Sequence, residues 1–370
     1  MKEILQHRSV KEIEIAEAVF DDIRISSEQA LYLYENSDPV FCGWLANILK
    51  ERNYNQRVFY NKNIHVEVSN ICINRCSFCS FYRDRLDSPA WEMSIDDIMV
   101  LIAEKSTDGI TEIHITGGLH PEKKLAFYVE LLTQIRAKYP EVHIKAFTAV
   151  EIEYFAKTEN RSYQDVLGIL KSCGMNSLAG GGAEILDDNI REILCPLKTK
   201  SQTWLEIHRI AHEMGIKSNC TILYGHIEKY KDRVYHMRKL RELQDRTGGF
   251  NCFIPLKYKS HGNSLEINTE TSLSEELKNY AISRLFLDNI PHIKAYWPMS
   301  GVEMALMALS FGADDFDGTI SDSTKIYSMA GGEKKPELSE NQIRNLLSEA
   351  GFIAFERNSE YVVIAENEIY

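Results

Sequence analysis

The spacing of apolar positions along the 370-residue chain changes near residue 57. Before it, apolar residues recur three to four apart over Val10–Phe20 and Ser27–Leu33, and Phe41–Leu49 continues the pattern, so helices are predicted there. Ser26-Ser27 followed by Glu28 resembles a helix start. From about residue 60, short β-type runs alternate with amphipathic stretches. Strands are predicted near Ile64–Val68, Glu112–Ile115, His143–Phe147, Ser177–Ala179, Ser218–Leu223, Phe250–Ile254, Ile293–Tyr296 and Asp314–Phe316. Helices are predicted between them at Ser94–Glu104, Lys123–Lys138, Tyr163–Cys173, Gln202–Met214, Arg233–Arg246, Glu275–Leu287 and Val302–Leu309. The tail adds a helix over Ser339–Glu349, a stop at Gly351 and a strand-like Tyr361–Ile364.

Strands that alternate with helices imply a parallel sheet with right-handed crossovers. The predicted fold class is therefore α/β, a closed (β/α)8 barrel of the TIM type. A six-stranded partial barrel with an extension is the alternative. The chain carries no internal repeat, low-complexity tract or long linker. The expected organisation is a helical extension at 1–57, the barrel at 58–320, and a C-terminal addition at 321–370 packed on the barrel.

Charge narrows the function classes. Lys plus Arg number 42 against 54 Asp plus Glu, a net charge of −12. A nucleic-acid or membrane-surface binder needs a basic footprint, so neither partner is expected, although a local basic pocket for a small anion fits. No apolar run reaches about 18 residues, and the N-terminal MKEILQHRSVKEIEIAE lacks a signal-peptide core, so a cytoplasmic location is expected.

Eight cysteines in such a chain do not read as a disulfide framework. Cys42, Cys173, Cys195, Cys220 and Cys252 are scattered singly, and Cys173 and Cys195 read as packing groups. Cys72, Cys76 and Cys79 lie close together just after the first predicted barrel strand, where a barrel's active face forms. Three soft thiolates at C-x3-C-x2-C spacing suit three corners of a [4Fe–4S] cube, with one iron left open to a small molecule. Structural zinc, with His65 or a distant residue as fourth ligand, and plain buried thiols are the other readings.

Further candidates end the later strands. Thr116-Gly117-Gly118 allows a ligand close to the backbone. The third strand leads into Thr148-Ala-Val-Glu151, and the fourth into Gly180-Gly181-Gly182-Ala183-Glu184, followed by Arg191 in a short helix and by Lys198. A carboxylate beside three glycines suits a ribose or an ammonium group, and Arg191 or Lys198 suits a carboxylate; either cation also reads as a solvated helix charge. Thr221, Tyr224, His226 and Glu228 give the fifth strand end a polar wall. His208, His212 and His236 sit on helix patterns and are assigned no chemistry.

C-x3-C-x2-C with the aromatic Phe78 before its last cysteine resembles the signature of the radical S-adenosylmethionine (SAM) superfamily. The resemblance implies that Cys72, Cys76 and Cys79 hold a [4Fe–4S] cluster whose fourth iron is chelated by the amino and carboxylate groups of SAM. An electron from the cluster then cleaves the sulfonium to give a 5′-deoxyadenosyl radical, chemistry that belongs to the cofactors. It also implies that Thr116, Gly117 and Gly118 meet the SAM amino group and Phe78 its adenine. Glu151, Glu184, Arg191, Lys198, Thr221 and Tyr224 are the other expected cofactor contacts.

The ordered motifs TGGLHP, KAFTAVEI, GGGAEIL, TILYGHIE, LRELQD and GGFNCFIPL, over roughly residues 60–320, look like one subgroup of that superfamily. It holds the menaquinone futalosine-pathway enzymes and those that form the deazaflavin cofactor, and the pattern most resembles the aminodeoxyfutalosine synthases. Ala179, where a proline is common, and Lys257, where a small residue is usual, depart from it. The resemblance implies a transferase that adds the radical to the enol-ether double bond of 3-[(1-carboxyvinyl)oxy]benzoate. Rearrangement and decarboxylation then give 6-amino-6-deoxyfutalosine and methionine. Reduced flavodoxin or ferredoxin is the expected electron donor. A dehypoxanthine futalosine cyclase or a deazaflavin synthase subunit is the sister alternative. Both substrate carboxylates need cationic or hydrogen-bonding partners in a water-poor barrel, and Arg83, His226 and Lys257 are the catalytic candidates.

Overall fold

The computed structural model describes residues 2–106, 109–267, 270–322, 325–332 and 336–366. Eight strands pair side by side, all in parallel, in the order Ser321–Asp322, Asn63–Glu67, Glu112–Thr116, His143–Ala146, Ser177–Leu178, Lys217–Tyr224, Phe250–Lys257 and His292–Ile293. The ring is joined beyond the last of these by a parallel bridge from Lys294 to Asp315. Asp315–Gly318 leads, through Thr319 and Ile320, into Ser321–Asp322. The chain thus folds as the (β/α)8 barrel that the alternation of elements predicts.

The polarity of the barrel wall follows from the two-residue period of a strand. In Asn63–Glu67 the apolar Ile64 and Val66 are fully buried, while Asn63 and His65 line a central cavity. Glu112, His114 and Thr116 repeat this on the next strand, with Ile113 and Ile115 buried on the other face. The apolar faces meet the surrounding helices, so the packed core lies outside the sheet and the inside is left polar.

The N-terminal helices Val10–Phe20, Ser27–Asn36 and Pro39–Tyr54 start on Ser9, Ser26 and Asp38, whose side chains accept from backbone N–H groups of the first turn. They pack on barrel helices: Tyr34 Oη donates to Asn279 Oδ1 at 2.5 Å, and Arg24 bridges Asp245 and Asp288 at 2.7 and 2.8 Å.

Besides several pieces of four residues or fewer, three described elements lie outside the predicted set. Arg57–Asn61 and Ile353–Arg357 form a second sheet with Asp315–Gly318 and Val363–Glu366. This sheet reaches the floor of the barrel, where Arg357 Nε donates to Asp315 at 2.7 Å and Ser359 Oγ to Glu112 at 2.6 Å. The third is the helix Ala149–Glu159, capped by Thr148, where the sequence reads as the end of a strand. Thr148-x-x-Glu151 is a capping box, and that local signal outweighs the strand-like alternation around it. Among the described residues no helix is long and apolar enough to cross a membrane.

Candidate functional site

A cavity of about 340 Å³ runs down the barrel, from the loop carrying Cys72, Cys76 and Cys79 to a charged floor of Glu112, Lys145, Lys294 and Asp317. Its size falls in the range of small-molecule sites.

The cysteine loop leaves the first barrel strand and is closed by its own backbone. Arg83 N donates to Asn70 O at 2.8 Å and Cys72 N to Arg83 O at 3.2 Å. The Arg83 guanidinium is turned onto the same loop, donating to Ser80 O at 2.9 Å and Tyr82 O at 2.6 Å. Ser77 anchors the loop to the short helix Asp188–Leu194, its N and Oγ donating to Leu194 O at 2.9 and 3.0 Å. On its inner side Gly118 N donates to Ser69 O at 2.6 Å. A Cβ at Gly118 would lie 2.4 Å from Ile71 O, so only glycine lets the second strand's end seat against the loop.

Opposite the loop, Lys198 Nζ donates to Glu184 Oε1 at 2.6 Å and lies 5.6 Å over the Phe78 ring. Burial works against the Lys198 charge, but Glu184, Cys76 and Cys195 outweigh it and hold the ammonium well above the usual lysine range. Burial likewise opposes the Glu184 carboxylate, and Lys198 outweighs it, keeping the group below its ordinary pKa. Glu184 has a left-handed backbone, φ 48°. Arg191 holds that turn: its guanidinium donates to the carbonyls of Gly182, Ala183, Ile185 and Thr199. A non-glycine residue kept in this region beside a cavity is a cost that the surrounding structure has to hold. Glu151 also faces the cavity. Burial raises its pKa against the hydrogen bonds from Thr148, one of them from Thr148 N at 3.0 Å.

Of the residues singled out from sequence, the cavity brings together Cys72, Cys76, Cys79, Phe78, Thr116, Gly117, Gly118, Glu151, Glu184, Lys198, Thr221 and Lys257. Five do not line it, among them Glu228, which accepts from Gly225 N at 2.7 Å and pairs with Arg233. Arg83 and Arg191 spend their guanidinium groups on backbone carbonyls, as above. His226 has both ring nitrogens on backbone: Nδ1 accepts from Ile227 N at 2.8 Å and Nε2 meets Leu223 O at 2.9 Å. Tyr224 is buried beside Arg233, whose guanidinium lies 5.2 Å over its ring. Thr221 donates to Gly180 O at 2.9 Å, and Lys257 is paired with Glu276.

Sequence reasoning missed the charged floor. There Lys145 Nζ meets Glu112 at 2.6 Å, His65 and His114 stand edge to face at 4.7 Å, and His114 Nε2 has no hydrogen-bond partner among the described residues. Inward-pointing polar residues at every second strand position were the available signal. It missed too that Cys195 lies close enough to Cys76 for each thiol to shift the other's pKa.

A cube with one vacant corner fits this chemistry. All eight cysteines are free, and three of them face one cavity. Among the described residues no three ligand side chains converge on a single metal ion. A cube does not require that, because each thiolate holds a different iron. Two glycine-lined strand ends and a buried ammonium–carboxylate pair lie within the same cavity as polar partners for a nucleoside and an amino acid.

Comparison with known proteins agrees. Residues 66–240 match the family model of the radical SAM superfamily, and residues 247–368 that of the CofH/MqnC C-terminal region. The chain is 39% identical over 358 residues to aminodeoxyfutalosine synthase from Thermus thermophilus, covering 96% of each chain. It is 36% identical over 312 residues to 5-amino-6-(D-ribitylamino)uracil–L-tyrosine 4-hydroxyphenyl transferase from Methanopyrus kandleri, covering 83% of this chain and 84% of that one. The crystal structure of methylornithine synthase shares the fold, with a TM-score of 0.73 at 17% identity, over 91% of this chain and 96% of that one. With the thiols, the glycine-lined strand ends and this near full-length similarity in place, the chain belongs to the radical SAM superfamily, whose enzymes use a [4Fe–4S] cluster and SAM, in the subgroup of the menaquinone futalosine-pathway enzymes.

Proposed function

We propose that the protein is a transferase that joins the 5′-deoxyadenosyl group of SAM to 3-[(1-carboxyvinyl)oxy]benzoate. The products are 6-amino-6-deoxyfutalosine, methionine and the enolpyruvyl carboxylate released as bicarbonate. The observation that carries this reading is the end-to-end similarity to an aminodeoxyfutalosine synthase, together with a cavity that keeps five lysines facing inward in an acidic chain. Five lysines against four carboxylates along its wall suit an anionic substrate.

The cluster, when bound to Cys72, Cys76 and Cys79, supplies the electron that cleaves SAM. The chain's own residues bind, orient and exclude water. Gly117 and Gly118 border the cavity beside the cysteine loop, where an amino-acid group would sit, and Phe78 offers a ring for the adenine. The Lys198–Glu184 pair presents a carboxylate already ionised, ready to accept from a ribose hydroxyl. The enclosed barrel keeps a reactive carbon radical from stray hydrogen donors, so positioning contributes more here than acid–base catalysis. Reduced flavodoxin or ferredoxin in the cytoplasm is the proposed electron source.

The sister reactions of the subgroup are the second reading, and the similarity to the 4-hydroxyphenyl transferase keeps it close. The test is anaerobic incubation of the reconstituted, reduced enzyme with SAM and the enol-ether benzoate, with products identified by mass spectrometry. The proposal expects 6-amino-6-deoxyfutalosine. Turnover of ribitylaminouracil with tyrosine, or of dehypoxanthine futalosine, in its place would assign the enzyme to a sister reaction.

A further inference from the structure

Five lysines line the barrel cavity: Lys145, Lys198, Lys257, Lys259 and Lys294. Four are neutralised in place, by Glu112, Glu184, Glu276 and Asp317 respectively. Lys259 is not. Among the described residues its ammonium has no hydrogen-bond partner and no carboxylate within 4.0 Å, although the side chain is half-buried. Burial first, and the neighbouring Lys257 next, work against its charge and outweigh the longer-range attraction of Glu276 and Glu270, so its pKa lies below the ordinary lysine value.

The backbone that carries this side chain is fixed. Lys259 O accepts from Asn263 Nδ2 at 2.8 Å, and Tyr258 Oη donates to Asn263 Oδ1 at 2.8 Å. Asn263 also reaches Ser80 Oγ at 3.2 Å, while Ser264 N and Leu265 N both donate to Ser77 O at 2.9 Å. The segment is therefore strapped to the cysteine loop and holds at the cavity wall one cation with no counter-ion in contact among the described residues. A half-buried ammonium without a counter-ion is unfavourable unless an anion meets it. The other cavity lysines have such a partner within the protein, so this one is left for a ligand.

We propose that Lys259 is the anchor for a carboxylate of the second substrate, turning that molecule towards the cysteine loop. The inference rests on the proposed function and adds to it the residue that selects an anionic substrate. It differs from the sequence expectation, which looked to Arg83, His226 and Lys257 for this task.

The test is calorimetric titration of anaerobic holoenzyme with 3-[(1-carboxyvinyl)oxy]benzoate, for the wild type, Lys259→Met and Lys259→Arg. Losing a charge-assisted hydrogen bond should raise the Kd of the Met variant roughly ten- to a hundredfold. The Arg variant should recover most of that loss. The Kd for SAM and the visible absorption of the cluster should stay as in the wild type, which shows that the site is intact. Of the two analogues with one carboxylate replaced by a carboxamide, one should bind wild type and Met variant equally. A Met variant that binds the dianion as tightly as the wild type overturns the anchor, whatever product forms. A wild type that binds the substrate but forms no 6-amino-6-deoxyfutalosine overturns the proposed function, with the anchor still decided by the titration. A wild type that does not bind the enol ether at all overturns both.

Discussion

Lys198→Met removes the ammonium that faces Glu184 and leaves the carboxylate with no other side-chain partner at hydrogen-bond distance among the described residues. The two side chains are only 14% and 10% exposed, so solvent screens the pair weakly. Breaking a buried pair by removing one partner costs roughly 3–5 kcal/mol. At about 2.1 cal/mol/K per residue, unfolding 370 residues has an entropy of about 0.8 kcal/mol/K, so Tm should fall by about 4–6 °C. The double variant Glu184→Gln/Lys198→Met strands no charge and should recover to within about 2 °C of the parent. The pH dependence has a definite sign. Glu184 is held below its unfolded value, so the pair's contribution is present above about pH 4.3 and is lost as pH falls through the lowered folded value. Lys198 is held above its unfolded value, so its contribution is complete below about pH 10.4 and is lost only as pH rises through the folded value. Differential scanning calorimetry of anaerobic holoenzyme at pH 7 reads the effect. A Tm within about 1 °C of wild type for Lys198→Met, or a double variant no better than the single, would refute this account of the pair.

Other perturbations test separate parts of the structure. Replacing Cys72, Cys76 or Cys79 with Ala should abolish the iron–sulfur absorption and turnover, while Cys173→Ala, outside the cavity, should keep both, as read by iron analysis and visible spectra. Gly118→Ala puts a Cβ 2.4 Å from Ile71 O and must push the cysteine loop from the strand end. Turnover should drop on the order of a hundredfold, the cost of about an ångström of misplacement. His212 is bonded to Thr247 and Ser218 at 2.8 Å each, and burial pushes its pKa down to about 4. The unfolded chain takes up that proton near pH 6.5, so stability is full above about 6.5 and declines as pH falls towards 4. His212→Gln should flatten that decline by up to about 3 kcal/mol, measured by chemical denaturation across the range.

What the sequence displays and what it hides follow from the range of the forces involved. The barrel units are written in local periodicity. Predicted helices such as Val10–Phe20 and Val302–Leu309 coincide with those observed, because an amphipathic face is a short-range signal. The cysteine loop, the glycine-lined strand ends and Glu184 with Lys198 are legible because their residue types are costly outside a site. Arg57–Asn61 and Ile353–Arg357 are not, since they pair with each other across most of the chain and no local pattern records that partnership. Arg83, Arg191 and His226 carry the right chemistry at strand ends, yet each is consumed by nearby carbonyl or amide groups, an outcome that depends on loop geometry. Lys259 is the reverse case. Its sequence context, Lys257-Tyr258-Lys259, does not tell the two lysines apart, and only the fold puts Glu276 in contact with the first and leaves the second with no contact partner among the described residues.

The most direct test of the proposed activity follows the adenosyl carbons. Reduced holoenzyme is given SAM carbon-13-labelled in its adenosyl moiety, together with 3-[(1-carboxyvinyl)oxy]benzoate, and the nucleosides are resolved by mass spectrometry. The account predicts the label in 6-amino-6-deoxyfutalosine, with one methionine formed per product. Label recovered solely as free 5′-deoxyadenosine, with the benzoate unchanged, would contradict it.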